Sequence, residues 1–564
     1  MNEVILALDL GGTWMKGCAS PWPEETPFPV RNVRRIRTPL EGSRDADGFA
    51  AAVAAFCREL AGGGSIRAIV AATAGEVDAQ GKRYLCAGAH LGVMGSTPWG
   101  DRLEARLSCP VTLINDAEAF LLGAAVRHLV PDQGAVGALV LGTGLGFAMA
   151  RDGRWWRPNR RLIHLGAILC ADGDFNAMVS AVRASEEGVF SEGTSGLAAY
   201  LGRLSAAIAT AVNLFQLDTV LLGGGGVDAL QGTGIDWLSE LKKAVPARLL
   251  PRAASVSLVP VDRANQVILE GTLTLARGNA HALQGRAKKS FRGLGTERGG
   301  FLAGMETRSP VAIAARLCEE EAAAAGRLSS QAEALARGAS LVADTVRRNG
   351  RVFYVGAGTS GRLGALDAVE IPCTFGVERR HFQAIIAGGV SDAALTIEGG
   401  GEEDVSSVPD LILAGLQAGD LVVGITASAT AYFVRSALAF ARSRGAATIL
   451  VHENPVEAGV ADLSIRLESG AEPIAGSTRM KAGTATKKVL NALSTVAMVL
   501  LGKVREGEMI DLDCNNEKLR ERAVRILSSL RRMPEESARE LLKQNGFQLR
   551  AALESKDPLR RGDG

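Results

Sequence analysis

Short apolar runs recur along the first half of the chain: VILALDL at 4–10, AIVAATAG at 68–75, PVTLIND at 110–116, GALVLGTG at 137–144 and DTVLLGGGG at 218–226. Each predicts a strand, and the Ala- and Leu-rich stretches between them predict helices. The alternation returns at 351–356, 382–389, 420–426 and 447–452, so the whole chain reads as α/β. Between the two blocks lies GNAHALQGRAKKSFRGLGTERGG, residues 278–300, which is rich in Gly and basic residues and poor in aliphatics. It is the best linker candidate. The C-terminal stretch is charged and helical in pattern and ends in the polar RRGDG.

Length and composition narrow the reading. A chain of 564 residues with 47% hydrophobic residues is large enough for two or three domains. Net charge is +2 with Lys and Arg spread along the chain, so no footprint for nucleic acid stands out. The eight cysteines, at 18, 57, 86, 109, 170, 318, 373 and 514, show no CxxC and no Cys/His spacing that builds a metal site. Reduced thiols are expected. MNEVILALDLGG lacks the basic lead of a secretory signal, and apolar runs such as 135–150 fall short of a bilayer span, so a cytoplasmic protein is expected.

The chemistry concentrates in turns. VFYVGAGTSGRLGALDAVEIPCTFG at 352–376 is a strand entering a turn that opens a helix, with Gly358, Thr359 and Ser360 placed to offer donors to an anion and Glu370 following in the helix. GSTRMKAGTATKKVLNALST at 476–495 repeats small hydroxyl residues and cations ahead of a helical run: Ser477, Thr478, Arg479 and Lys481. Ser428, after the strand DLVVGIT, is a further donor. In the first half, Asp9-Leu-Gly11-Gly12-Thr13 and Gly142-Thr143-Gly144 each follow a strand, and a third run contains Gly224 and Gly225. Two such turns can grip a triphosphate from opposite sides, with Asp9 acting on Mg²⁺ through water. A glycine turn standing alone is also a ligand-free bend, and the alternative for Asn115-Asp116 is a turn or N-cap before a helix starting at Ala117.

Residues 295–556 resemble the N-acetylmuramic acid 6-phosphate etherases of the sugar isomerase (SIS) domain proteins, through GAGTSGRLGALDAVEIPCTFG, AGG at 387–389, GSTRMKAGTATKKVLNALST and NNEKL at 515–519. Residues 3–277 are similar to ROK-family sugar kinases of the actin and hexokinase superfamily, through the three glycine turns and PWGDRLEARLSCPVTLINDAEAFLLGAA at 98–125. The implied architecture is an actin/hexokinase-like kinase domain at 1–277, a linker at 278–300, a SIS-type doubly wound parallel-sheet domain at 301–510 and a helical segment at 511–564. The resemblance implies ATP and Mg²⁺ for the kinase half and no cofactor for the etherase half. It implies sugar and sugar-phosphate ligands, a homodimer through the SIS domain, Asp116 as kinase base, Asn115 and His164 at the sugar, and Glu370 as etherase acid.

The chain also departs from both patterns. The family's etherase base falls on Gly401, so that role passes to Glu402 or Glu403 or is lost, with Glu402 our candidate. The phosphate loop reads Ser428-Ala-Thr-Ala-Tyr432 where the family has Ser-Gly-Arg-Thr-Pro. His164 stands where a sugar-binding Glu is usual, His90 replaces an Asn, and the usual cysteine-rich zinc loop has no counterpart. Two functions are expected from this: a bifunctional amino-sugar kinase and lactyl etherase, or a phosphosugar-sensing regulator with a non-catalytic SIS domain. The preferred sugar is open on sequence alone.

Overall fold

The structure, a computed structural model, describes residues 2–23, 30, 32–38, 46–78, 81, 82, 84–87, 98–156, 165–167, 169, 170, 173–191, 196–251, 255–284, 294–298, 300, 302–305, 308–389 and 405–555. It divides into two compact units: Met1–Gln284 with Asp404–Leu416, and Gly285–Glu403 with Gln417–Gly564.

The first unit uses one sheet plan twice. β1 (Glu3–Leu10) pairs antiparallel with β2 (Trp14–Trp22), β2 pairs antiparallel with β3 (Arg34–Arg37), and β4 (Ser65–Thr73) and β5 (Val111–Asn115) join in parallel, in the order β3-β2-β1-β4-β5. β6 (Ala135–Leu141), β7 (Leu145–Arg151), β8 (Arg154–Trp155), β9 (Thr219–Gly223) and β10 (Ser257–Pro260) repeat it as β8-β7-β6-β9-β10, with the same mixture of senses. The repeat gives each sheet a first hairpin that turns through glycine, at Gly11–Gly12 and at Gly142–Gly144. β6 is buried at every residue, which is why AVGALVL shows no alternation.

The helices include α1 (Ala46–Ala61), α2 (Asp116–Val126), α3 (Gly196–Phe215), α4 (Gly225–Gln231) and α5 (Ala264–Gln284). Because α2 is apolar all round, it is a core helix and not a surface one. It meets α5 at glycine: a Cβ added to Gly123 would lie 1.9 Å from the Val267 carbonyl oxygen, and one at Gly271 would lie 2.1 Å from that of Ala119. The helix Val408–Leu413 belongs to this unit and packs on α2, α5 and β8, with Val408 and Leu411 fully buried. Among the described residues α3 alone is long and apolar enough to cross a membrane, and most of its apolar face lies in the core with Leu139, Phe147 and Leu222.

The second unit holds α6 (Pro310–Arg327), α7 (Ala332–Arg347), β11 (Val352–Gly356), α8 (Gly358–Phe375), β12 (Phe382–Ile386), β13 (Leu421–Thr426), the helix Tyr432–Ser443, β14 (Ala447–His452), β15 (Leu463–Arg466) and α9 (Lys481–Leu500). Its sheet is parallel throughout, in the order β12-β11-β13-β14-β15. The order reverses between β11 and β13, and in such sheets the crevice for a ligand opens at the carboxyl ends of those two strands. The other ends of β11 and β13 are tied by a buried ion pair, Arg351 Nη2 to Asp420 Oδ2 at 2.8 Å, with the Arg351 and Gln417 N–H groups donating to the same carboxylate. The tail, α10 (Glu517–Arg531), α11 (Glu535–Gln544) and α12 (Leu549–Glu554), has its own apolar cluster around Val524, Leu527, Leu542 and Leu549.

Both ends of the expected linker are built in. α5 continues to Gln284, and in the second unit Gly295 N–H donates to Asn454 Oδ1 at 2.8 Å while Asn454 Nδ2 donates to the buried Thr296 hydroxyl at 3.1 Å.

Candidate functional sites in the two units

In the first unit the buried Asp9 ends β1 with its cross-strand partner Lys16 beside it, Nζ to Oδ2 3.5 Å. Burial pushes the Asp9 carboxyl up, and Lys16 opposes this. Lys16 also donates to Asn265 Oδ1 at the start of α5. Asn115 caps α2: its Oδ1 accepts from the N–H groups of Ala117 (2.9 Å) and Glu118 (3.2 Å), and its Nδ2 donates to the Gly75 carbonyl at 2.9 Å. The helix-start reading of Asn115 therefore holds, and the cap aims Asp116, leaving one N–H of Nδ2 for a ligand. Burial first, and the nearby Asp9 second, push Asp116 up to about 7. A base poised there suits proton abstraction near neutral pH.

The second and third glycine turns close on the same place. A Cβ on Gly146 would lie 3.5 Å from Asp116 Oδ1, and Gly142 N–H donates to the Gly144 carbonyl at 3.0 Å, leaving Thr143 at the tip of the bend. Gly224 has φ +96 and its backbone lies on β6: a Cβ there would meet the Leu141 carbonyl oxygen at 2.3 Å. No L residue fits both demands. Gly225 then opens α4. Asp9, Asp116, Gly11–Thr13, Gly142–Gly144 and the Gly224 turn are thus one constellation, whereas His164 lies outside the described residues. The sequence reading did not single out Lys16 or Asn265; the seven-residue spacing from Asp9 to Lys16 around a glycine hairpin was the available signal.

In the second unit, Gly358 has φ +55 and starts α8 behind Ala357, a cap without a side-chain bond to the helix. The N–H groups of the first turn, with the Thr359 and Ser360 hydroxyls, therefore remain for an anion. Opposite stands the loop after β13, in which Thr430 Oγ1 donates to Ser428 Oγ at 3.1 Å and the Thr430 N–H donates to it at 3.2 Å. The buried Arg435 braces this loop through the Ala429 carbonyl at 3.3 Å. The 476–495 segment arrives beside the first turn: a Cβ on Gly483 would lie 3.4 Å from the Thr478 carbonyl oxygen and 3.7 Å from Thr359 Cγ2. Ser477 and Thr478 are partly buried and Arg479 is exposed.

Two residues named from sequence lie elsewhere. Lys481 is buried and donates to Glu320 Oε2 at 3.0 Å and to the Ala471 carbonyl at 3.1 Å, lining a charged cavity with Arg327, Glu453 and Glu468. The cap of α9 is Glu472, which was not anticipated; it accepts from the N–H groups of Lys481 (2.9 Å) and Ala482 (3.0 Å). Glu370 lies eleven residues along α8 from Thr359, roughly 17 Å at 1.5 Å per residue. Its side chain is 58% exposed, with Lys487 Nζ 3.5 Å away. Lys487 also approaches the buried Asp367 at 3.6 Å, and Asp367 accepts from the Tyr354 hydroxyl at 2.9 Å. Burial raises the Asp367 carboxyl, against the pull of Tyr354 and Lys487. Glu402 and Glu403 lie outside the described residues.

The comparisons agree with these two halves. Residues 5–171 match the ROK family model, and 334–442 match that of the glucokinase regulatory protein N-terminal SIS domain. N-acetylmuramic acid 6-phosphate etherases from Gloeobacter violaceus and Geobacillus thermodenitrificans are 46% and 43% identical to this chain over 238 and 259 residues. Those alignments cover 42% and 46% of the chain and 78% and 87% of the relatives. Among solved structures, a ROK family glucokinase from Streptomyces griseus with glucose and AMPPNP aligns at TM-score 0.40 and 18% identity, covering 49% of this chain and 99% of that one.

Proposed function

Because the chain belongs, through its second half, to the N-acetylmuramic acid 6-phosphate etherase family, we propose that it is a bifunctional cytoplasmic enzyme of cell-wall sugar recovery. In this reading the first unit phosphorylates O6 of an amino sugar with ATP, and the second cleaves the lactyl ether of the 6-phosphate to N-acetylglucosamine 6-phosphate and D-lactate. The observation that carries it is one anion cradle in each unit, glycine-lined in the first and helix-capped in the second, within a chain that is etherase-like over most of its relatives' length.

In the kinase half, Asp116 accepts the O6 proton while backbone N–H groups of the glycine turns hold the phosphates. Asp9, a buried carboxylate with Lys16 beside it, is the residue that would hold Mg²⁺ through water, and the ion would supply charge neutralisation for the transfer. Asn115 fixes the direction of Asp116.

In the etherase half, the phosphate sits on the first turn of α8 with Thr359, Ser360, Ser428, Ser477 and Thr478 as donors. A carboxylate at Glu402 or Glu403 removes the C2 proton of the opened sugar, Glu370 protonates the departing lactate oxygen, and water adds back at C3. Six covalent bonds separate the phosphorus from the ether oxygen, about 8 Å at full stretch, so a sugar held at Thr359 does not reach the Glu370 of its own α8. A second copy supplies it. Exposed Leu366 and Val369 beside Glu370, and exposed Val496, Val499 and Leu500 on α9, offer the apolar surface for that homodimer.

Incubation with N-acetylmuramic acid 6-phosphate should release D-lactate, and Glu370→Gln should abolish the release. A second reading rests on the SIS match to a regulatory protein, the glycine at 401 and the Thr430 bonds that engage Ser428. Tight binding of the 6-phosphate with no lactate formed would decide for a sensor controlling the kinase.

A further inference from the structure

The proton transfer assigned to Glu370 leaves the groups around that residue unused. Asp367 and Glu370 stand three residues apart on α8 and so share a face of that helix. Lys487 reaches both from α9, its Nζ 3.6 Å from Asp367 Oδ1 and 3.5 Å from Glu370 Oε2. The two carboxyl groups have opposite surroundings. The Asp367 side chain is 4% exposed, and its Oδ2 accepts at 2.9 Å from the hydroxyl of Tyr354, itself buried in β11. Glu370 is open to solvent, and among the described residues no second cation pairs with it.

The ammonium therefore has a fixed partner on one side and an exposed one on the other. An exposed Glu side chain has several open rotamers, and holding one of them costs entropy. Lys487, tethered from behind by the buried Asp367, gives the Glu370 carboxyl a preferred position. Its charge also suits the chemistry. As the base takes the proton from C2, the C2–H electrons form the C2=C3 double bond, the C3–O bond breaks with its electron pair on oxygen, and that oxygen takes the Glu370 proton to leave as D-lactate. Glu370 is then a carboxylate, and it takes a proton from the water that adds at C3. Between these two transfers the ammonium faces the negative charge on Glu370, a preorganised countercharge that needs no rearrangement. Asp367 balances part of the ammonium charge while Glu370 still holds its proton.

We propose that Lys487, anchored by Asp367 and Tyr354, is a positioning residue for ether cleavage: it aims the Glu370 carboxyl at the departing lactate oxygen and pairs with the carboxylate that proton transfer leaves. This rests on the etherase reading and deepens it. Lys487 serves the acid and not the phosphate, although Gly483, one turn earlier on α9, faces Thr359 of the cradle.

The test is Lys487→Met in the full chain, assayed for D-lactate from N-acetylmuramic acid 6-phosphate. A fall in kcat of roughly 10- to 100-fold is expected, the range for losing a hydrogen bond to a charged group, with KM held within about twofold because no binding contact is lost. Lys487→Arg, which keeps the charge, should recover most of the loss. A raised KM with kcat intact would overturn the proposal and assign Lys487 to the phosphate, and an Arg variant as poor as the Met variant would overturn it as well. A second readout is the chain on which Lys487 acts. Refolded together with Ser360→Asp, Lys487→Met should regain lactate release; refolded with Glu370→Gln it should not, because both changes then fall in the same half of the composite site. Regain in the second mixture and not in the first would overturn the proposal. A native chain that forms no lactate removes the etherase reading and this role with it, whereas a native chain that forms lactate beside an unimpaired Lys487→Met variant removes this role alone.

Discussion

Asp116 carries the sharpest single-residue expectations. With its carboxyl near 7, kcat/KM of the kinase should rise with pH through about 7 and level above it, and Asp116→Asn should abolish phosphorylation at every pH. The stability consequence has the opposite sign. A carboxyl raised on folding holds its proton in the native state at a pH where the unfolded chain has lost it, so stability falls as pH rises from 3.8 to about 7. Asp116→Asn should therefore stabilise the first unit at pH 8, by up to ~4 kcal/mol from the size of the shift, and change little at pH 4. Thermal melts at the two pH values check this. At the buried ion pair of the second unit, Asp420→Ala strands the Arg351 guanidinium and should destabilise that unit by about 3–5 kcal/mol in denaturant titration.

The elements were legible where burial is two-sided. VILALDL, GALVLGTG and DLVVGIT became β1, β6 and β13 within a few residues, because strands in the middle of a sheet covered on both faces are apolar on both faces and leave an unbroken run in the sequence. Two of the glycine turns were legible for a related reason, since at Gly224 and Gly356 the backbone of a neighbouring segment lies too close for a side chain. What stayed hidden depends on pairing across long sequence gaps. Lys481 reads as a phosphate ligand until Glu320, far back in the chain, is found bonded to it, and Glu472 shows itself as a cap only once the loop before α9 folds back. Glu370 reads as near Thr359 in sequence, but helical rise separates them. At the element scale the α2–α5 contact is the most sensitive feature. Gly123→Ala places a methyl group into the Val267 carbonyl and should lower stability by several kcal/mol, as overpacking of backbone against backbone leaves no flexible side chain to yield.

For the whole molecule, the separation of Glu370 from Thr359 along α8 predicts complementation between two inactive variants. Glu370→Gln and a cradle variant such as Ser360→Asp should each be inactive as etherases. Mixed, unfolded and refolded together in equal amounts, they should recover about a quarter of native activity, because half the dimers pair one of each kind and carry one intact site of two. Recovery of nothing, with dimers present by light scattering, would return both groups to a single chain and exclude the composite site.

The helix Val408–Leu413 is encoded deep in the second half yet completes the interior of the first unit. During synthesis the ribosome must add 132 more residues after Gln284 before Leu416 is made, a wait of roughly 7 to 26 s at ordinary elongation speeds. Over that interval the nascent N-terminal half exposes the apolar surfaces of α2 and α5 that this short helix later covers, and it is then open to chaperones. A fragment ending at Gln284 would stay in that state permanently, so expressing the kinase half as an autonomous protein requires supplying the missing helix.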